Sequence, residues 1–234
     1  MPKFEMTDEQ KSRFVGNILA TFAQATQAEI DDGFNWYANA NKACKALASK
    51  YEVPFAVAVA VVAALSPNNR WSRNLHDAEL LISAYMDGEA PETVKVCTYN
   101  TMRAKAWDIL RMAQNWQGLA NDDLLPPMTV RASHIEDLRR VLKGQKITCF
   151  FDNIMGVDTC TIDGHARNIA YGERLSLSGG KFTISKSEYA ALQECYRYAA
   201  NVLSMSEDKR ISGSIKAYEL QAITWVAWRR IWGI

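Results

Sequence analysis

The chain has almost no net charge and no cysteine pair. Lys and Arg number 27 against 26 Asp and Glu, a formal +1. No overall field draws the protein to a polyanion, so a basic contact surface has to be local. The five cysteines, Cys44, Cys97, Cys149, Cys160 and Cys195, are odd in number and never spaced C-x-x-C. That spacing points to reduced thiols in a cytoplasmic protein, with neither a zinc site nor a disulfide framework. No metal and no cofactor is expected. The longest apolar run, Pro54 to Leu65, has 12 residues, too short to cross a bilayer, and is expected as a buried core helix with no membrane partner. The opening Met1-Pro2-Lys3-Phe4-Glu5 is too polar for a secretory signal. No internal repeat or low-complexity tract occurs.

What is present is a globular composition, 48% hydrophobic and 23% charged over 234 residues. It suffices for one large domain or two small ones. Helical signals dominate, and the fold class is all-α, mainly helical. Thr7 with Gln10 is a capping box for a helix running towards Ala28. Further helices are expected from Asp31 to Ser49, from Pro54, from Trp71 to Tyr85 and from Tyr99 to Gln114. Ser133 should cap a short helix to Leu142, followed by a compact turn over 143–146 and a helix over Ile147 to Ile154. A β-like run at Thr161-Ile162 leads into a helix from Asp163 to Tyr171. Ser185 with Glu188 forms a second capping box, and Ser214 begins the last helix. Residues 117–130 are the longest break. Leu175 to Ile184 alternates around Gly179-Gly180 and is expected as a small β-hairpin.

Three segments can carry chemistry. In the first, Asp163-Gly164-His165-Ala166-Arg167, the acid stands at a helix start. It is either an N-cap or a catalytic carboxylate tuned by His165 and Arg167, with Gly164 leaving space beside it. In the second, Leu142-Lys143-Gly144-Gln145-Lys146-Ile147-Thr148, a glycine turn joins two short helices. It is either a solvated turn or a backbone N–H cradle for phosphate. The third, Ser66-Pro67-Asn68-Asn69-Arg70-Trp71, follows the most apolar helix. It either lines a pocket, with Trp71 stacking on a flat ligand, or is a plain turn with Trp71 in the core. The stripe Trp225, Trp228, Trp232 has helical spacing and reads as packing.

Taken in order, these segments resemble the helix-hairpin-helix (HhH-GPD) DNA glycosylase superfamily. Leu65-Ser66-Pro67-Asn68 stands where the family has its Leu-Ser-x-Gln loop. Tyr99-Asn100…Lys105-Ala106 is similar to a later Tyr-Asn…Lys-Ala pattern. Leu142 to Cys149 stands for the hairpin L-P-G-V-G-x-x-T-A, and Ile162 to Arg167 for the acid-bearing D-G-N-V-x-R. The likeness covers residues 54 to 172. It implies a two-lobed helical fold, with residues 66–160 as the lobe holding the hairpin and residues 1–65 plus 161–234 as the second lobe. It also implies a partner, double- or single-stranded DNA with a flipped or modified base.

The resemblance implies roles for the residues as well. Asp163 would be the essential acid that stabilises the cationic sugar as the N-glycosidic bond breaks, with His165 beside it. Lys143, Gly144, Gln145 and Thr148 would grip the backbone. Ser66, Asn68, Asn69, Arg70 and Trp71 would line the base site, and Arg167 would meet substrate. Aligned on Thr148, the slot for the lysine of lyase-type members holds Ile147. Aligned on Lys146, the lysine returns. The hairpin has one glycine where the family has two, and the iron–sulfur cysteines of many relatives are missing.

The chain also looks like compact phage-encoded proteins of this fold, which would place it in the host cytoplasm. For them the implied reaction is group transfer in base hypermodification, at an activated hydroxymethylpyrimidine. A third reading is a non-catalytic DNA-binding or interaction protein in which Asp163 is only a cap.

Overall fold

The computed structural model describes residues 4–118, 130–175, 183–211 and 213–233. Ten α-helices account for most of them: α1 Asp8–Ala23, α2 Gln27–Lys50, α3 Phe55–Ala64, α4 Trp71–Met86, α5 Asn100–Gly118, α6 Ala132–Leu142, α7 Gln145–Ile154, α8 Gly164–Tyr171, α9 Lys186–Ser204 and α10 Ala217–Trp232. No strand occurs among the described residues, and the all-α class stands. Among them, no single helix is long and apolar enough to cross a membrane.

The backbone contacts group the chain into two compact units. Unit 1 comprises residues up to Ala38 and those from Gly156 onward, and unit 2 is Asn39–Met155. The first boundary falls inside α2, not at residue 65 as expected, and the second lies at 155/156, not 160/161. The physical reason is α3. It packs on α5, α7, α6 and α4, and Ala56 to Leu65 are all buried. The expected core helix is thus the centre of unit 2.

Unit 1 is built on α1, which packs on α8, α9 and α10. Phe14, Ile18, Phe22, Ile169, Leu192, Tyr196 and Ile223 form its core. The Thr7–Gln10 capping box is present, with Gln10 N donating to Thr7 Oγ1 at 3.1 Å and Thr7 N to Gln10 Oε1 at 3.0 Å. The helix nevertheless ends at Ala23. Thr26 and Glu29 make a second reciprocal pair, Thr26 N to Glu29 Oε2 at 2.8 Å and Glu29 N to Thr26 Oγ1 at 3.3 Å. That pair starts α2 at Gln27, four residues ahead of the expected Asp31.

Other expectations are corrected. The Thr161-Ile162 run forms no strand, and Ile162 N donates to the Tyr189 hydroxyl at 2.9 Å. Ser133 lies inside α6, whose cap position is Arg131, with Arg131 N donating to His134 Nδ1 at 3.2 Å. Lys216, not Ser214, caps α10, its N–H held by Glu219 at 2.7 Å. The turn expected over 143–146 is only Lys143-Gly144, because Gln145 and Lys146 are already helical. The expected hairpin has its centre, residues 176–182, outside the described residues, as does most of the 117–130 break.

Candidate functional site

In unit 1, Asp163 is the N-cap of α8. Its backbone is extended (φ −98°, ψ −175°), and Oδ1 accepts from Ala166 N at 2.8 Å. The residue is half-buried. The bond satisfies one of the amides that a helix start leaves without an acceptor. His165 is half-buried, and its Nδ1 is buried with no hydrogen-bond partner among the described residues.

Arg167 is held from α9. Its Nε donates to Glu188 Oε1 at 2.7 Å, and its guanidinium lies 4.0 Å over the Tyr171 ring. Tyr171 donates its hydroxyl to the same carboxylate oxygen at 3.0 Å. Burial and the neighbouring Glu188 push the Tyr171 phenol up to about 12. Glu188 was expected to close a capping box with Ser185. Only half of it forms, Glu188 N to Ser185 Oγ at 3.1 Å, because the carboxylate is spent on Arg167 and Tyr171. Below Asp163, Tyr196 is fully buried and donates to Ala166 O at 3.1 Å. Its phenol is raised far above the usual range by burial first, then by Cys160, with the Asp163 carboxylate adding to it.

In unit 2, α6 and α7 are joined by two residues with positive φ, Lys143 at 50° and Gly144 at 110°. Both are exposed, and a Cβ on Gly144 would meet nothing within 4 Å. Thr148 N donates to Gly144 O at 3.0 Å, closing the first turn of α7. The amides of Gln145, Lys146 and Ile147, which precede Thr148, belong to the set that a helix cannot satisfy internally. Lys105 of α5 donates its ammonium to Leu142 O, tying the end of α6 to α5. Burial, and then the charge of Lys143, hold Lys105 below the usual lysine range. On the flank, Arg139 donates to Asp152 Oδ1 at 2.9 and 2.7 Å. Gln145, Lys146 and Thr148 are half-buried.

The Ser66–Trp71 loop is in the same unit. Ser66 Oγ donates to Ala63 O at 2.9 Å, and Asn68 takes a left-handed φ of 52°. Trp71 is half-buried and meets the Phe150 ring of α7 edge-on, centroids 6.4 Å apart. It therefore packs the loop against α7. Arg70, Asn68 and Tyr99 are exposed, Tyr99 at 55%. Asn68 Nδ2 donates to the Tyr99 hydroxyl, and Thr98 Oγ1 to Pro67 O at 2.7 Å.

Sequence reasoning placed no weight on Asp77 or on the side chain of Lys105. Asp77 was visible only as the i+4 partner of Arg73, and its burial belongs to the packing. The described residues contain no group of His, Cys, Asp and Glu able to hold a metal.

A family of unknown function, DUF7178, matches residues 1–125 and 127–231, and the chain belongs to it. No curated protein and no solved structure matches.

Proposed function

Taking the chain as a DUF7178 protein, we propose that it is a DNA base-acting enzyme of the helix-hairpin-helix glycosylase type, with a fold of that two-lobed kind. The reaction is cleavage of an N-glycosidic bond, and Asp163 is the acid that stabilises the cationic sugar. The observation that carries this reading is the Lys143-Gly144 turn. Two consecutive positive φ values reverse the chain in two residues and leave the start of α7 open, flanked by Lys143 and Lys146. Such an end takes a phosphate through backbone N–H groups and the helix dipole without a strongly basic protein. That accommodates the near-neutral charge.

The test is incubation with DNA carrying varied pyrimidine modifications, followed by mass spectrometry of bases and nucleosides. Release of free base by the wild type, and not by Asp163→Asn, is the expected result. A mass change on the nucleoside with its glycosidic bond intact replaces cleavage by group transfer. No product with any substrate, and DNA binding indifferent to Asp163, would sink the enzymatic reading.

A further inference from the structure

Asp77 is a fully buried carboxylate on α4, and its partners lie on three different segments of unit 2. Oδ1 accepts from Arg73 Nε at 2.7 Å. Oδ2 accepts from Asn69 Nδ2 at 3.0 Å and from Cys97 N at 2.7 Å. One carboxylate thus joins α4, the Ser66–Arg70 loop and the strip leading into α5. Two further bonds lace the same loop and strip together, Thr98 Oγ1 to Pro67 O and Asn68 Nδ2 to the Tyr99 hydroxyl.

The Asn69 amide can sit only one way round. Its Nδ2 faces two acceptors, Asp77 Oδ2 and Leu65 O at 3.3 Å, and the flipped amide would set oxygen against oxygen. Asp77 therefore dictates how Asn69 is presented.

Stability alone is a poor reason for this arrangement. Withdrawing a carboxylate from water is unfavourable, and buried ion pairs often give no net gain over apolar residues of similar volume. The Arg73 side chain stays 46% exposed, so the pair is not a closed core contact. What the carboxylate does achieve is order in a polar loop whose outer residues, Asn68 and Arg70, and whose neighbour Tyr99 face solvent. A loop held in its binding geometry beforehand does not have to be ordered when the ligand arrives.

We infer that Asp77 is a positioning residue, which sets the Ser66–Arg70 loop and the Cys97–Tyr99 strip for contact with DNA. This rests on the nucleic-acid reading above. Asp77 itself touches no substrate and acts through Asn69 and the Cys97 amide.

The experiment combines hydrogen exchange with binding of labelled single-stranded and duplex oligonucleotides to the full chain. The variants are Asp77→Asn, Asn69→Ala and both together. Asn69→Ala approaches the same link from a half-exposed residue, should Asp77→Asn fail to fold. In Asp77→Asn, amides over 66–70 and 97–99 are expected to exchange at least about tenfold faster while α3 and α7 keep their protection. DNA binding is expected to weaken about tenfold in each single variant, and the double variant to be no worse than either, because both remove one link. A merely structural role would not produce that non-additivity in binding. Unchanged exchange in the loop overturns the inference whatever binding does. Faster exchange with unchanged affinity overturns it as well, since the ordered loop is then not the contact. Additive losses in the double variant also overturn it. A wild type that binds neither oligonucleotide overturns the nucleic-acid reading itself, and the wild-type titration alone distinguishes that failure from the others.

Discussion

Arg167 and Glu188 bridge α8 and α9 with their charged ends almost out of solvent. Nε stands 2.7 Å from Oε1, and the side chains are 18% and 10% exposed. Removing one partner of such a pair costs roughly 3–5 kcal/mol, because the other charge is left without its counter-ion in a poor solvent. Glu188→Ala is expected at the low end, about 3 kcal/mol, since the Tyr171 ring still lies under the guanidinium. Glu188→Gln keeps an acceptor for Arg167 and for the Tyr171 hydroxyl and should lose about half as much. Urea unfolding checks both, and equal midpoints for wild type and Glu188→Ala would contradict the pairing.

Asp163 is a cap in any case, and the question is whether it is also an acid. Asn is as good an N-cap as Asp, so Asp163→Asn should leave the unfolding free energy within about 0.5 kcal/mol of wild type. Asp163→Ala should lose about 1 kcal/mol. Product formation should fall on the order of a hundredfold or more in both variants. Measured together, stability separates the two substitutions and activity does not. Activity surviving in Asp163→Asn reduces the residue to its cap.

The hairpin turn sets backbone strain against charge. Lys143 has a φ of 50° with a ψ of 117°, a sparsely populated conformation that costs a non-glycine residue roughly 1–3 kcal/mol. Lys143→Gly should therefore stabilise the chain by up to about 1 kcal/mol, part of the relief being offset by the freer unfolded chain. The same change should weaken DNA binding and flatten its salt dependence by about one phosphate contact. Gly144→Ala should destabilise by about 1–2 kcal/mol through its φ of 110° alone, there being open space for the methyl group. Thermal melts with salt-dependent binding curves test both halves. A Lys143→Gly protein that is less stable than wild type would contradict the strain.

Acid sensitivity should reside partly in Glu29. Its carboxylate receives Arg230 Nε at 2.6 Å and Thr26 N at 2.8 Å. The hydrogen bond from Arg230, the largest influence, with help from Thr26 and against the opposing effect of burial, holds its pKa below the usual glutamate range. A folded-state pKa below the unfolded value means that the folded protein binds the proton less readily. The stabilisation is therefore present above the unfolded value of about 4.3 and is lost as pH falls through the folded one. Glu29→Gln should lower the melting temperature at pH 7 and make the fall between about pH 5 and 3 shallower than in wild type. Parallel acid branches in the two proteins would contradict it.

The α-helical class, the buried Pro54–Leu65 helix, the Thr7 box and the Asp163 cap were all legible in the sequence. So was a sharp turn at Gly144. Each depends on residues at most a few positions apart, where helix periodicity and backbone hydrogen bonding leave little choice. The Thr26–Glu29 box has the same legible spacing, and passing over it put the end of α1 and the start of α2 four or five residues out. The partners of Glu188, Asp77 and Lys105 were not legible. A glutamate three residues after a capping serine suits two different acceptor roles, and only Arg167, brought in by the packing of α8 on α9, decides between them.

By itself, the sequence determined that the chain is helical, that Thr7 opens the first helix, which helix is fully apolar, and which acid stands at a helix entrance, because those features follow from local spacing and burial preference. Tertiary structure alone decided that α3 belongs with α5 to α7, that Arg167 serves Glu188, and that Asp77 holds the Asn69 loop against Cys97. The side-chain pairings among these join residues from eight to 21 positions apart in the chain. They form only where packed helices bring a buried charge to the one donor set able to satisfy it.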